Sequence, residues 1–323
     1  MFSFNLKALK RAANHKWSKS FFDLVWPGFL LYYFVYAAVT VLYTYGLNPT
    51  WQSNFNAMAS YFAKYISVLP VSLIIGYFTA TALNQWTTTV KAIPGIIKPI
   101  VVFIGSLKRG IPKGQQLVEK YGRYNLLMWI LTLRQICPYL KQQFPDLASL
   151  ESFNYLTAGE RAEMETYLEK GNKQESLHLV VYNWINRLIM YTDEKGYFRS
   201  PSEYKSIIEN AHAFKKSCGG ILKNAASNPL IFVSKTVTFV HYSYGLMTIL
   251  SHQLKEELLL TSMVSGYFPI SALVFFVYDA WLKIGKLATD PFREVDINKL
   301  LEENIQHTFR ECQTYNAPLS MID

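Results

Sequence analysis

From Leu24 to Ala63 the chain carries no Asp, Glu, Lys or Arg, and a second charge-free stretch runs from Tyr65 to Val90. Crossing a hydrocarbon core of about 30 Å takes roughly 20 helical residues. Four stretches meet that length: 24–47, 66–85, 230–250 and 258–282. The second holds Pro70 and Gly76, which a simple anchor does not need. The fourth holds Pro269 and, near its end, Asp279. A fifth apolar stretch, "AIPGIIKPIVVFIGSL" at 92–107, is shorter and interrupted, and reads as buried or re-entrant. Between Lys108 and Asn228 charges return and the pattern becomes amphipathic helix. "YNLLMWILTLRQICPYLKQQFP" reads as one helix kinked at Pro138. "LTAGERAEMETYLEKG" starts with Thr157 and Glu160 in capping-box spacing and ends on Gly171. A helix over "SLHLVVYNWINRLIMYTDEKG" and another over "SPSEYKSIIENAHAFKKSCGG", capped by Ser200 or Ser202, complete the block. Residues 297–310 read as a final helix.

These elements predict an all-α membrane protein. It has a basic N-terminus (1–23), a membrane hairpin (24–90), a large helical domain (91–228), a second hairpin (229–282) and an acidic turn with a C-terminal helix (283–323). Half of the 323 residues are hydrophobic and the net charge is +9. Lys7, Lys10, Arg11, Lys16 and Lys19, and then Lys108, Arg109 and Lys113, flank the apolar stretches as cytosolic faces do. Both termini and the middle domain are therefore expected in the cytosol, and no nucleic-acid partner is expected. A cationic vestibule that attracts anions is the sharper reading of the same charge. Cys137, Cys218 and Cys312 are odd in number and far apart, which points to a reducing compartment without a disulfide framework.

No enzymatic constellation emerges. "GSLKRGIPKG" at 105–114 fails as a phosphate loop because Ile111 stands where lysine is required, and it reads as a turn. The six histidines are scattered. Lys235 and Asp279 are ionisable groups at apolar stretches, where charge is costly. The expectation is that each lies at the interface with its charged head in water.

The order of these pieces resembles the bestrophins, a family of pentameric anion channels. "SVLPVSLIIGYFTATALNQW" resembles the family's pore-lining second helix, and "LRQICPYLKQQFP" its Arg-containing helix with a Phe-Pro end. "LTAGERAEME" is similar to its Thr-x-x-Glu helix start, and "WLKIGKLATDPF" to the end of its fourth span. The likeness covers roughly residues 15–312.

The resemblance implies a homopentamer with four transmembrane helices per subunit. It implies a narrow neck at Leu69, Leu73 and Tyr77, whose i, i+4, i+8 spacing gives one helix face. The family's necks are more aromatic, so an altered gate is expected. It also implies a second, cytosolic constriction at Ser202, counted back from Cys218-Gly219; a helix cap is the alternative role there. The family's calcium clasp maps onto Asp290, Glu294, Asp296 and Asn298, with Arg293, Val295, Ile297 and Leu287 at positions that weaken it. Calcium needs six to eight oxygens, so weak or absent binding is expected. The implied function is passive conduction of chloride and other small anions by a multi-pass protein of the plasma membrane. A non-conducting accessory subunit in hetero-oligomers is the alternative.

Overall fold

In the computed structural model, residues 21–66, 68–171, 176–226, 228–251, 270–294 and 297–315 are described, with backbone alone at 21–24, 270, 293 and 294. Every regular element among them is helical. The helices are α1 (Phe21–Val41, continued by a π-turn Leu42–Gly46), α2 (Pro49–Ile66), α3 (Val71–Lys91), α4 (Ile97–Ser106), α5 (Gly114–Leu133), α6 (Pro138–Gln143) and α7 (Leu147–Ser152). They continue as α8 (Ala158–Glu169), α9 (Leu177–Glu194), α10 (Pro201–Ala226), α11 (Leu230–Ser251), α12 (Ile270–Ala288), α13 (Pro291–Glu294) and α14 (Ile297–Thr314).

The chain divides into two compact units. The first unit takes residues 89–226 and 292–315 of those described, and α5 is its central helix. From Tyr121 to Leu133 every residue of α5 is buried, because α9, α4, α14 and α10 surround it. The Trp129 indole donates to the Pro94 carbonyl at 3.0 Å, and the Phe103 and Tyr121 rings stack at 4.0 Å. α14 buries Ile297, Leu301, Ile305, Thr308 and Cys312, a repeat of three to four residues that makes one face. The stretch 92–107 contributes α4, with Ile96, Ile100, Phe103 and Leu107 in this core, so it is buried rather than re-entrant.

Local signals act as their chemistry demands. Thr157 accepts from the Glu160 N–H, and Glu160 accepts from the Thr157 N–H at 3.0 Å, completing the capping box. Gly171 closes α8 at φ +80°, a conformation that favours glycine. Pro138 differs from expectation: it stands at the first position of a new helix, α6, so the helix expected over 124–145 is two helices. The Arg134 guanidinium donates to the Pro145 carbonyl and closes that corner.

The second unit takes residues 21–88, 228–251 and 270–291 of those described. α1 packs on α12, α2 on α11, and α11 on α12. The segment Val25–Gly46, 22 residues of mean hydropathy 1.7, is long and apolar enough to cross a membrane. The pair Pro49–Ile66 and Val71–Lys91, bent by 46°, passes the same test when taken as one span. Among the described residues no other helix passes. The stretches expected to span at 230–250 and 258–282 fall on α11 and α12. α12 carries Asp279, Lys283 and Lys286, and the part of the expected fourth span at 258–269 lies outside the described residues. α2 was not expected at all; its signal was Pro49 at the first helical position, behind Asn48, whose carbonyl accepts from the Gln52 N–H at 2.9 Å.

Candidate functional site

The expected second span begins late. Pro70 does not kink a helix; it precedes one, and its carbonyl accepts the Ile74 N–H at 3.0 Å. α3 therefore starts at Val71. Leu73 and Tyr77 share a face of α3, whereas Leu69 lies in the non-helical segment just before it. The shared-helix expectation for Leu69 is corrected because proline has no N–H and restrains the residue before it from helical geometry.

α3 has two opposed faces. Val71, Ile75, Phe78, Thr79 and Ala82 are buried. The Thr79 hydroxyl donates to the Trp281 carbonyl of α12 at 3.1 Å. Gly285 allows that approach, since a side chain there would come within 2.8 Å of the Phe78 ring. On the other face Leu73 is 67% and Tyr77 75% exposed, and Ala80, Asn84 and Thr88 continue the exposed stripe. The Thr81, Thr87 and Thr88 hydroxyls donate to carbonyls one turn back. The open face thus runs from bulky apolar at its start to small and polar further along. Gly76 meets nothing within 4 Å, so no close approach explains it.

Ser202 lies exposed in the first turn of α10, its hydroxyl 2.7 Å from that of Ser200. The start of α10 is held by a stitched pair of segments. Arg199 N–H donates to Ser106 O at 3.0 Å, Lys108 N–H to Tyr197 O at 2.9 Å, and the Ser106 hydroxyl to Glu203 at 2.7 Å. Lys205, Glu209, His212, Lys216 and Lys223 continue an exposed, mainly basic stripe along α10. Ile207, Ala211, Phe214, Cys218 and Ile221 bury the opposite face. Burial pushes the Cys218 thiol up to about 12, although a hydrogen bond with Thr132 works against it.

Two of the four calcium-ligand positions have described side chains. Asp290 is exposed, ahead of α13. Asn298 is half-buried on α14, and its amide oxygen is enclosed with no hydrogen-bond partner among the described residues. The Glu294 side chain and Asp296 lie outside the described residues. An enclosed amide oxygen is a fitting calcium donor, one of the six to eight oxygens the ion requires. No group of three or more His, Cys, Asp or Glu side chains comes together among the described residues.

A polar cluster that sequence reasoning placed wrongly lies inside the second unit. Asp279 is fully buried, not at an interface, because Lys283 Nζ lies 2.7 Å from its Oδ2 and His241 Nε2 lies 3.4 Å from its Oδ1. Buried charge survives only when paired. The Lys283 partner was readable as an i, i+4 pair on one helix; the His241 partner, from α11, was not. Lys235 is exposed, its ammonium 5.8 Å from the Phe232 ring, as a snorkelling lysine would be.

An exposed apolar-to-polar helix face, a basic helix stripe and a buried ion cluster suit a conduit better than a catalyst. The family model described as "Bestrophin, RFP-TM, chloride channel" matches residues 11–313. This chain belongs to the bestrophin family. The family is one of membrane channels rather than enzymes. Among curated relatives, human Bestrophin-2a is 25% identical over 304 residues, covering 90% of this chain and 58% of that protein. Human Bestrophin-1 is 24% identical, covering 90% of this chain and 50% of that protein. Bestrophin homolog 1 of Caenorhabditis elegans is 24% identical, covering 90% and 66%. The chain therefore spans only part of the length of these relatives. The crystal structure of a bacterial bestrophin homologue from Klebsiella pneumoniae superimposes with a TM-score of 0.64 at 11% identity, covering 88% of this chain and 97% of that one. The bestrophin fold is thus kept at low identity, as in a divergent member.

Proposed function

We propose that this bestrophin is the subunit of an anion channel that conducts chloride and other small anions passively. The observation that carries the reading is the open face of α3: Leu73 and Tyr77 are exposed while the opposite face is packed. Large apolar side chains in the open on a helix packed along its other side call for further partners. Five copies arranged about an axis would close that face into a pore, with Leu69 and Leu73 as an aliphatic collar and Tyr77 as the wider, partly polar ring below it. An apolar constriction gates by dewetting: an ion entering it loses water that no protein group replaces. Beyond Tyr77 the stripe of Ala80, Asn84 and Thr88 gives a wetter path. Selection for anions comes from basic vestibules, including the α10 stripe below Ser202, and from helix dipoles. Ser202, small and polar, makes the cytosolic constriction wide. The subunit is multi-pass in the plasma membrane, with both termini cytosolic.

Calcium is weakly held or absent, since Asp290 stands in solvent and the donor set is sparse. The same sparse acidic turn favours a second reading, an accessory subunit that does not conduct alone. The test is reconstitution of the purified full chain in planar bilayers with unequal chloride, with and without calcium. Reversal near the chloride equilibrium potential, unaffected by calcium, is the expected result. Folded, oligomeric protein without current would move the conclusion to the accessory subunit.

A further inference from the structure

The buried cluster of His241, Asp279 and Lys283 lies against the machinery that holds α3. His241 and Asp279 are fully buried, and Lys283 is 18% exposed. The cluster is built, not incidental. A side chain at Gly28 of α1 would come within 2.6 Å of the Asp279 carboxylate, so the glycine leaves the room that the ion pair occupies. The His241 imidazole stacks on Phe275 at 4.5 Å, and the Phe275 ring also stacks on Tyr32 at 4.4 Å. A side chain at Gly245 would lie 2.6 Å from Phe275, so the aromatic stack also depends on a glycine. About half a turn beyond Asp279, Trp281 accepts from Thr79 of α3, and Gly285 packs on Phe78. Whatever moves this part of α12 acts on the helix whose other face carries Leu73 and Tyr77.

We propose that His241 is a positioning residue for conduction: its protonation resets the Asp279–Lys283 pair and, through α12, the seat of α3. The inference rests on the channel reading given above. With neutral His241 the cluster is one cation and one anion. With protonated His241 a second cation stands against the Asp279 carboxylate, which is closed off from solvent. Lys283, the only member with partial access to solvent, is the cation released. Among the described residues, the groups on the elements around the cluster are these. α2, which packs on α11, carries one charged side chain, the exposed Lys64. α12 supplies Lys283 and, in electrostatic reach, Lys286. α11 supplies His241 and Tyr242. α1 supplies Gly28 and Tyr32, whose hydroxyl lies 3.1 Å from that of Thr248. α3 presents Phe78 and Thr79, neither of which titrates in this range. Among the described residues, histidine is then the one facing side chain whose ordinary range falls between pH 5 and 8.

Two measurements on the full-length protein test this. One is chloride current in bilayers from pH 8 to 5.5; the other is the pH dependence of melting in detergent, which needs no conduction. Wild-type current should change about fivefold or more across one protonation step, the lower end of coupling between sites. His241→Gln should flatten both profiles. Asp279→Asn should move the midpoint to lower pH, because the histidinium loses its anion. Lys283→Met should move it to higher pH, because a like charge is gone. A role in packing alone would lower stability without moving any midpoint. Profiles that His241→Gln leaves unchanged would overturn the proposal, as would midpoints that move in the opposite directions. A wild type whose melting shows the His241-dependent step but which carries no current at any pH overturns the conduction role and the channel reading, while the titration of the cluster stands.

Discussion

Glu160 holds two helices of the first unit at once, and removing its charge should be costly. Its carboxylate receives both terminal nitrogens of Arg123, at 2.5 and 2.7 Å, and the Tyr124 hydroxyl at 2.8 Å. It also caps α8 through the Thr157 N–H. Burial works to raise this carboxyl, but the Arg123 hydrogen bonds and charge, with Thr157 and Tyr124, outweigh it and bring it from 4.5 down to about 2. That drop corresponds to about 3 kcal/mol of preference for the charged form in the folded state. Breaking a buried pair by removing one partner costs about 3–5 kcal/mol, which agrees. Arg123, 6% exposed, cannot turn to solvent. Glu160→Gln should therefore lower the melting temperature at pH 7 by about 6–12 °C, at about 2–4 °C per kcal/mol for a unit of this size. The depressed carboxyl also sets the pH window. Its stabilisation is fully present above about 4.5 and is lost as pH falls toward about 2. The gap between wild type and Glu160→Gln should close over that interval. Differential melting of both proteins across pH reads it. A gap under about 1 kcal/mol at pH 7, below the range for buried pairs, or one that stays constant into acid, would refute the reasoning.

Leu73→Ala and Tyr77→Ala should each change single-channel conductance or open probability while shifting melting by no more than about 0.5 kcal/mol, as exposed positions do; an unchanged current from both would remove the neck. Gly245→Val should cost about 1–3 kcal/mol by driving a side chain into Phe275, measured as lost thermal stability in detergent. The Cys218 and Cys312 thiols, both buried and pushed up to about 12, should resist maleimide at pH 8 in folded protein and react once it is denatured.

Features written in neighbouring residues were legible in the sequence alone. The capping box of Thr157 and Glu160, the glycine stop at Gly171, and the apolar run that became α1 all depend on residues a few positions apart, where chain geometry alone sets who meets whom. The helices over 177–194, 201–226 and 297–314 showed in the same way, through periodicity. The order of motifs pointed to the bestrophin family. That Leu73 and Tyr77 share a helix face was also legible, because a spacing of four residues is about one helix turn. Proline was read less well: a kink was expected at Pro138, and a span running through Pro70, where in both places a new helix begins, since local sequence does not say whether neighbouring packing will hold a helix through the break. The tertiary structure alone decided the rest. It put Ala92–Leu107 into the packed core of the first unit, showed that α3 has one packed and one open face, and moved Asp279 from an expected watery interface into a buried site. That last step needed His241 from α11 and the space left by Gly28 from α1. Burying a charge depends on which distant groups arrive to pair with it, and no local pattern along the chain encodes that arrival.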